Sequence, residues 1–135
     1  MKPRYMLDTN ICIYIAKHQP PEVKARFERL KPGQLIMSVI TYGELQYGAN
    51  KSNQRARALA QLDELVQDIP VEDLTSAASQ MYGEIRAALE VQGRMIGNND
   101  LWIGAHAMAL DVTLATNNER EFKRIVGLSV ENWTK

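Results

Sequence analysis

The stretch Tyr5-Met-Leu-Asp-Thr-Asn-Ile-Cys-Ile-Tyr14 decides the fold class. Its first three residues form a short apolar run, which predicts a strand, and Asp8 follows this strand directly. The apolar residues that come next have helical spacing, so a helix is expected from Thr9 to about His18. A strand that leads into a helix through a carboxylate is the first unit of an alternating fold.

The same alternation continues along the rest of the chain. A polar helix is expected at 21–31. Further strands are expected at 35–37, 69–71, 112–115 and 128–130. Further helices are expected after Ser38 and at 54–67, 73–92, 99–110 and 118–125. We expect segments 54–67 and 73–92 to form a helical hairpin. The sequence therefore predicts an α/β fold with a mainly parallel central sheet flanked by helices.

Length and composition predict one domain over residues 1–135. The chain is 45% hydrophobic and 24% charged, which is enough apolar side chain for a core and argues against disorder. No run approaches the roughly 20 apolar residues of a membrane span, and the single Cys12 permits no internal disulfide. We therefore expect a cytoplasmic protein with no membrane association.

The charges are unevenly distributed although the net charge is zero. Residues 1–57 hold ten Lys and Arg against four acids, and residues 58–135 hold six against twelve. Such asymmetry is typical of a protein with one face for phosphates, and it is equally consistent with an ordinary solvated surface. Charge alone leaves both interpretations open.

Four polar side chains stand at positions suited to chemistry. Asp8 and Asn118 follow predicted strands, where ligand sites of parallel sheets lie, Asp100 opens a predicted buried helix, and Glu44 lies within a helix. Each of the first three could instead be a helix cap, since Asp and Asn are preferred there. Glu44 cannot be a cap. It has no Lys or Arg three or four residues away to neutralise it.

A bound cation would explain Glu44, because an unpaired carboxylate on a half-apolar helix face is costly. Carboxylate oxygens suit Mg²⁺ and Mn²⁺. The flanking Gly43 and Gly48 weaken the helix, which suggests that another chain segment approaches closely there. No glycine-rich phosphate loop or zinc-type His/Cys cluster occurs, and His106 is expected to be a core residue.

Four segments resemble, in order, the motifs of PIN-domain proteins. They are Tyr5–Tyr14, Ser38–Gly48, Gly97–Ala107 and Ala115–Phe122, and the terminal Val130–Thr134 is similar to the end of a VapC toxin. The match runs over the whole chain without a large insertion. Four ordered motifs outweigh the separate capping interpretations, so the chain is identified as a member of the VapC family of PIN-domain ribonucleases.

The resemblance implies a metal-dependent endoribonuclease. Carried over position by position, Asp8, Glu44 and Asp100 match the metal-binding acids, and Asn118 matches the fourth catalytic position, which is often Asp. Thr9 and Asn10 match positions beside Asp8 that are expected to support it and the substrate. The implied reaction is hydrolysis of an RNA phosphodiester with Mg²⁺ or Mn²⁺.

The resemblance also implies the partners. VapC proteins are toxins of type II toxin–antitoxin systems, held inactive by a VapB antitoxin and usually homodimeric. The members most similar to this chain cut initiator tRNA in the anticodon stem-loop. Within segment 54–92 we expect the apolar surface to contact the antitoxin or a second copy, although the stripe of helix 73–92 could simply pack on the sheet.

Five basic residues are candidate contacts to the RNA backbone. Arg94 is the first candidate because the turn 93–100 should carry it towards the acids, and the others are Lys51, Arg55, Arg57 and Arg86. Arg94 could also be a solvated loop residue or pair with an acid of the site.

Two other functions fit less well. A non-catalytic RNA-binding or adaptor module should have lost one of the acids. A metal-dependent phosphatase of the haloacid-dehalogenase type should show a second acid at the position of Asn10.

Overall fold

Five parallel strands form one sheet in the order β3-β2-β1-β4-β5. The structure is a computed structural model that describes residues 2–135. The strands are β1 (Tyr5–Leu7), β2 (Leu35–Ser38), β3 (Val71–Glu72), β4 (Thr113–Thr116) and β5 (Val130–Asn132). The helices are α1 (Thr9–Lys17), α2 (Pro21–Glu28), α3 (Val39–Lys51), α4 (Arg55–Asp68), α5 (Ser76–Gln92), α6 (Asn98–Leu110) and α7 (Glu119–Phe122). The predicted α/β class with a parallel sheet is confirmed.

A separate apolar core covers each face of the sheet. Successive strand residues point to opposite faces, so Leu7 belongs to one core and Met6 to the other. Strand residues buried on both sides explain why the strands appear in the sequence as continuous apolar runs. The central strand β1 therefore ends inside the protein, which brings Asp8 to a buried position at the carboxyl end of the sheet.

The predicted pairing of helices 54–67 and 73–92 is wrong. Helix α4 packs on α3, and its Leu62 and Leu65 join the core around Leu7. Helix α5 packs on α6, and its Leu89 joins the core around Met6. Strand β3 separates the two helices and pairs with β2 at the sheet edge, so the chain crosses from one face to the other there. The helical pair of this fold is α5 with α6.

Helix boundaries follow the predicted caps. Asp8 caps α1 by accepting the Ile11 amide, and Ser38 caps α3 by accepting the Ile40 amide. Differences are small: α7 ends at Phe122 rather than near 125, and β5 begins two residues later than predicted. Within residues 2–135, no helix is both long and apolar enough to cross a membrane.

Candidate functional site

Hydrogen bonds of the backbone amide and of both carboxylate oxygens hold Asp8 at the carboxyl end of β1. Its backbone amide donates to the carbonyl of Ala115 at 3.0 Å, and its Oδ1 accepts the amide of Ile11 at 3.0 Å. Its Oδ2 accepts the hydroxyl of Thr116, the last residue of β4. Only 5% of Asp8 is exposed. The carboxylate caps α1, and this bond leaves the predicted role of Asp8 in a site open.

Glu44 reaches the same carboxyl end of the sheet from the middle of α3. Its Oε1 accepts a hydrogen bond of 2.5 Å from the hydroxyl of Thr9, the first residue of α1. The hydroxyl of Thr41 lies 3.3 Å from that of Thr9. This polar contact between α1 and α3 orients Glu44 in the absence of a basic partner.

Asp100 completes a group of three acids from the first turn of α6. Burial raises the pKa of Asp8 from 3.8 to about 6, the hydrogen bonds from Thr116 and Ile11 oppose this rise, and the negative charges of Asp100 and Glu44 add to it. Burial also raises the pKa of Asp100, and repulsion by Glu44 contributes. The negative charges of the three carboxylates therefore act on one another, and their joint role in a site stays a prediction.

The donor set fits a hard divalent cation. Among residues 2–135, none of the ion pairs involves Asp8, Glu44 or Asp100, so their mutual repulsion is not neutralised by Lys or Arg. The described part of the chain holds no three acidic, histidine or cysteine side chains already gathered tightly enough to enclose a metal. The residues match Mg²⁺ or Mn²⁺ by chemistry, and a bound cation would draw them together.

Comparison with known proteins assigns the family. The PIN domain model matches residues 5–128. Ribonuclease VapC2 of Rickettsia felis is 43% identical over 132 residues, which cover 97% of this chain and 98% of the relative. The tRNA(fMet)-specific endonuclease VapC of Shigella flexneri is 44% identical over 131 residues, with 97% and 98% covered.

This chain belongs to the VapC family of PIN-domain ribonucleases.

Solved VapBC complexes have the same fold. DNA-bound VapBC from Salmonella typhimurium matches with a TM-score of 0.91 and 38% identity, covering 97% of this chain and 98% of that one. VapBC-1 from nontypeable Haemophilus influenzae matches with a TM-score of 0.90 and 42% identity, with the same coverage. The predicted family and fold are both confirmed.

In this VapC-family chain a fourth acid, Glu121, belongs to the site and was missed in the sequence. Its negative charge contributes to the raised pKa of Asp100, and its Oε2 accepts the side-chain amide of Asn118 at 3.3 Å. Asn118 therefore reaches the acids through Glu121. A signal exists in the sequence: residues 118 and 121 lie three apart at the start of a short helix, where neighbours at that spacing share a face.

Thr9 and Asn10 flank Asp8 in sequence but support other residues. The Thr9 hydroxyl bonds to Glu44, and the Asn10 amide donates to the side chain of Asn117 at 3.3 Å. Asn117 in turn donates to the hydroxyl of Tyr14 at 3.0 Å. The side chains of Thr9 and Asn10 bond to residues other than Asp8, whose oxygens bond to Ile11 and Thr116. Support of Asp8 by these two residues stays a prediction.

Within residues 2–135, none of the candidate RNA-binding cations forms an ion pair with Asp8, Glu44 or Asp100. Arg86 bonds to the hydroxyl of Tyr82 at 2.8 Å and lies 3.5 Å from Glu90. Arg55 donates to Asn50 at 2.9 Å, and Lys51 lies over the ring of an aromatic neighbour on α3. Arg94 is exposed and pairs with no acid within residues 2–135. The alternative in which Arg94 neutralises a carboxylate of the site is therefore wrong for this structure.

Two further expectations concern residues near the site. His106 is fully buried as predicted, with Nδ1 2.9 Å from the hydroxyl of Ser38, and burial lowers its pKa.

Gly43 and Gly48 were expected to admit a close neighbour, but a methyl group at either position would have nothing within 4 Å. Both glycines instead face open space beside Glu44.

Proposed function

We propose that this VapC-family chain is an Mg²⁺- or Mn²⁺-dependent endoribonuclease, a single PIN domain over residues 1–135 that acts in the cytoplasm. The observation that carries the proposal is the group of three acids without a basic partner, two of them with a raised pKa. Asp8, Glu44 and Asp100 would hold the cation. Glu121 and Asn118 lie beside them.

The chain's own residues fix the acids in place before any ligand binds. Thr116 and the Ile11 amide orient the two oxygens of Asp8, and Thr9 orients Glu44. Glu121 leaves the carbonyl oxygen of Asn118 free to point towards a bound water or phosphate, since its bond uses the amide nitrogen. A bound cation would lower the pKa of a water and stabilise the charge of the phosphate during hydrolysis.

The proposed substrate is the anticodon stem-loop of initiator tRNA. A relative at 44% identity carries the name of a tRNA(fMet)-specific endonuclease, which supports this substrate for the present chain. Holding a folded RNA in register requires cations outside the acid cluster. Lys51, Arg86 and Arg94 are proposed for this role, together with Arg55 and Arg57.

The test is RNA cleavage by three single variants, Asp8→Ala, Glu44→Ala and Asp100→Ala. Each should abolish cleavage of the tRNA while remaining folded, because each removes one proposed cation ligand. Thermal unfolding with and without Mn²⁺ gives a second measurement: the cation should raise the melting temperature of the wild type more than that of any variant. Full cleavage by any one variant would contradict the assignment.

The same assays separate the two other functions considered. A non-catalytic module would bind the RNA without cutting it at any metal concentration. A phosphatase would release phosphate from a model phosphomonoester and leave the tRNA intact. Mapping the cut ends after brief expression in cells would identify the RNA and the position of cleavage.

A VapB antitoxin is the proposed protein partner. The solved relatives are VapBC complexes, and a groove of about 420 Å³ lies between α1, α3 and α4 next to Glu44. Its walls include Ile13, Leu45, Leu62 and Leu65, so an apolar segment of the antitoxin could pack there. Leu62→Asp should fold poorly because Leu62 is buried, whereas Gln61→Glu and Ala58→Glu at the rim should weaken antitoxin binding alone.

Homodimerisation is proposed for the free protein, as usual in the family. Part of the apolar stripe of α5 is not available to a second copy, because Leu89 and Ile85 pack in the core with α6. Helix α5 thus uses this stripe to pack on α6, and the dimer would use the exposed remainder of the helix, which includes Val91. Light scattering that shows a monomer at high concentration would contradict this proposal.

A further inference from the structure

An exposed aromatic ring stands beside the acid cluster and has no role in the mechanism above. Tyr47 is 67% exposed, and it is the one aromatic residue among the exposed large hydrophobic side chains of residues 2–135. It follows Glu44 by three residues on α3, which places the two side chains on neighbouring positions of one helix face. An exposed ring at this place has packing surface to offer a ligand.

A cation lies over the same ring. The Nζ of Lys51 is 4.7 Å from the centroid of Tyr47, within the range of a cation–π contact. Glu44, Tyr47 and Lys51 are spaced i, i+3 and i+7, so an acid, an aromatic ring and a cation follow one another along α3. They extend about 10 Å along the helix axis. One face of α3 thus presents a proposed cation ligand, an exposed ring and a positive charge in that order.

An open groove connects these side chains to the acid cluster. It has a volume of about 750 Å³, and its walls include Thr9, Glu44, Tyr47, Lys51 and Asn99. The apolar groove between α1, α3 and α4 adjoins it and shares Ile13, Glu44 and Gly48 with it, but is lined by neither Tyr47 nor Lys51.

Two glycines keep this groove open. Gly43 and Gly48 line it, and a methyl group built on either would meet no atom within 4 Å. Glycine costs up to about 1 kcal/mol in a helix interior relative to alanine, and no packing in the described residues requires it here. Space for a ligand beside Glu44 explains both glycines.

We propose that Tyr47 stacks on an unpaired nucleobase next to the phosphate that is cut, and that Lys51 pairs with the phosphate on the far side of that base. The inference rests on the proposed ribonuclease function and adds a base-binding site to it. Stacking on an aromatic ring tolerates every base, whereas in a stem the neighbouring base pairs stack on both faces of a base and cover them. The site therefore selects an unpaired nucleotide at the cut.

The first experiment compares Tyr47→Ala with Tyr47→Phe in single-turnover cleavage of an anticodon stem-loop RNA. Removing the ring should lower the cleavage rate at subsaturating enzyme by about tenfold or more. Tyr47→Phe should cleave at the wild-type rate, because stacking needs the ring and not the hydroxyl. Val126→Ala, which removes an exposed apolar side chain from the turn between α7 and β5, is the matched control and should have no effect.

The second experiment tests the base. An RNA with an abasic nucleotide at the stacked position should be cut slowly by the wild type, and Tyr47→Ala should show no further loss on it. The inference would be overturned if Tyr47→Ala slowed cleavage of the abasic RNA by the same factor as cleavage of the intact RNA, because the ring and the base would then act independently. Weakened antitoxin binding with unchanged RNA cleavage in Tyr47→Ala would also overturn it.

Base stacking can be measured by fluorescence, without cleavage of the RNA. In the inactive Asp8→Ala background, RNA with 2-aminopurine at the stacked position should lose fluorescence on binding. Adding Tyr47→Phe should preserve this quenching, and adding Tyr47→Ala should abolish it. Failure of the wild type to cut any RNA would reject the ribonuclease proposal, whereas equal quenching with and without the ring would reject only the role of Tyr47.

A substitution that stabilises the helix provides an independent test. Gly43→Ala should raise the melting temperature, since alanine favours helix and has free space, yet it should slow cleavage by narrowing the groove. Loss of activity in a more stable protein cannot be ascribed to misfolding. Unchanged cleavage by both Gly43→Ala and Tyr47→Ala would overturn the inference.

Discussion

The hydroxyl of Thr116 donates a hydrogen bond to Asp8 and accepts one of 2.9 Å from the backbone amide of Asn118. One side chain at the end of β4 thus connects the buried carboxylate to the loop before α7. Because Glu121 bonds to Asn118, the connection extends to the fourth acid of the site. Thr116 is fully buried, so no water can replace its hydroxyl without rearrangement.

Replacing Thr116 with Val should impair the site while preserving the core. Valine has nearly the same shape but no hydroxyl, so Asp8 would lose a bond that lowers its pKa and fixes its orientation. We expect cation affinity and cleavage to fall about 10- to 100-fold, as for other residues that orient metal ligands. Thr116→Ser retains the hydroxyl and should cleave at nearly the wild-type rate, whereas equal loss in both variants would point to packing instead.

The raised pKa of Asp8 predicts how the stability of the metal-free protein depends on pH. Between 3.8 and about 6 the folded protein retains a proton that the unfolded chain has released. The free energy of unfolding should therefore fall as pH rises through this window, by about 3 kcal/mol in total, and should level off above it. Denaturant unfolding in EDTA across pH 4–7 measures this.

Asp8→Asn should remove that dependence and leave the metal-free protein more stable than the wild type at pH 7. Asp63→Asn, at an exposed position on α4, serves as the control and should not change the slope. With saturating Mn²⁺ the wild type should show the opposite trend, because the cation binds the ionised carboxylate. A wild-type protein whose stability is flat over the window would contradict the burial of Asp8.

The sequence was informative about the site because local signals and motif order agree there. Asp8 follows a strand that is apolar on both faces, and Glu44 lies where no helix neighbour could neutralise it. The helix pairing could not be predicted in the same way. The apolar stripes of α4 and α5 look alike in sequence, and only the pairing of β3 with β2 at the sheet edge sends them to opposite faces.

Glu121 was missed because its role depends on tertiary distance. In the sequence, its one distinction from Glu119 is the three-residue spacing from Asn118. Glu119, two residues earlier, bonds instead to Lys135 at 2.7 Å and to Asn132 at 3.3 Å. Those bonds lower the pKa of Glu119 to about 2, whereas Glu121 faces Asp100. The fold thus gives two similar acids on one short helix different partners.

Glu121→Gln should weaken cleavage more than Asn118→Ala does. The first removes a negative charge beside Asp100, and the second removes a neutral amide whose contact is to Glu121. Loss of about tenfold or more is expected for Glu121→Gln. Asn118→Asp should retain activity and bind Mn²⁺ more tightly. Glu119→Gln is the matched control, and a greater loss there than in Glu121→Gln would contradict the assignment.

Removing basic residues should affect RNA binding in two distinct ways. Arg94→Ala should slow single-turnover cleavage without changing the Mn²⁺-induced shift in melting temperature, since Arg94 pairs with none of the site's acids in the described chain. Arg55→Ala and Arg57→Ala should each weaken binding and lower the slope of log affinity against log salt by about 0.7 to 0.9. Lys24→Ala on α2 provides an exposed control.

The central position of β1 has a consequence for when the protein can become active during its synthesis. Strand β1 is made early, but its neighbour β4 follows more than a hundred residues later and supplies the Thr116 hydroxyl to Asp8. Glu121 is made later still. Such long-range pairing forms slowly and late. A chain that has not yet been made as far as α7 thus lacks part of its acid cluster, so the proposed cation site can form only near the end of synthesis.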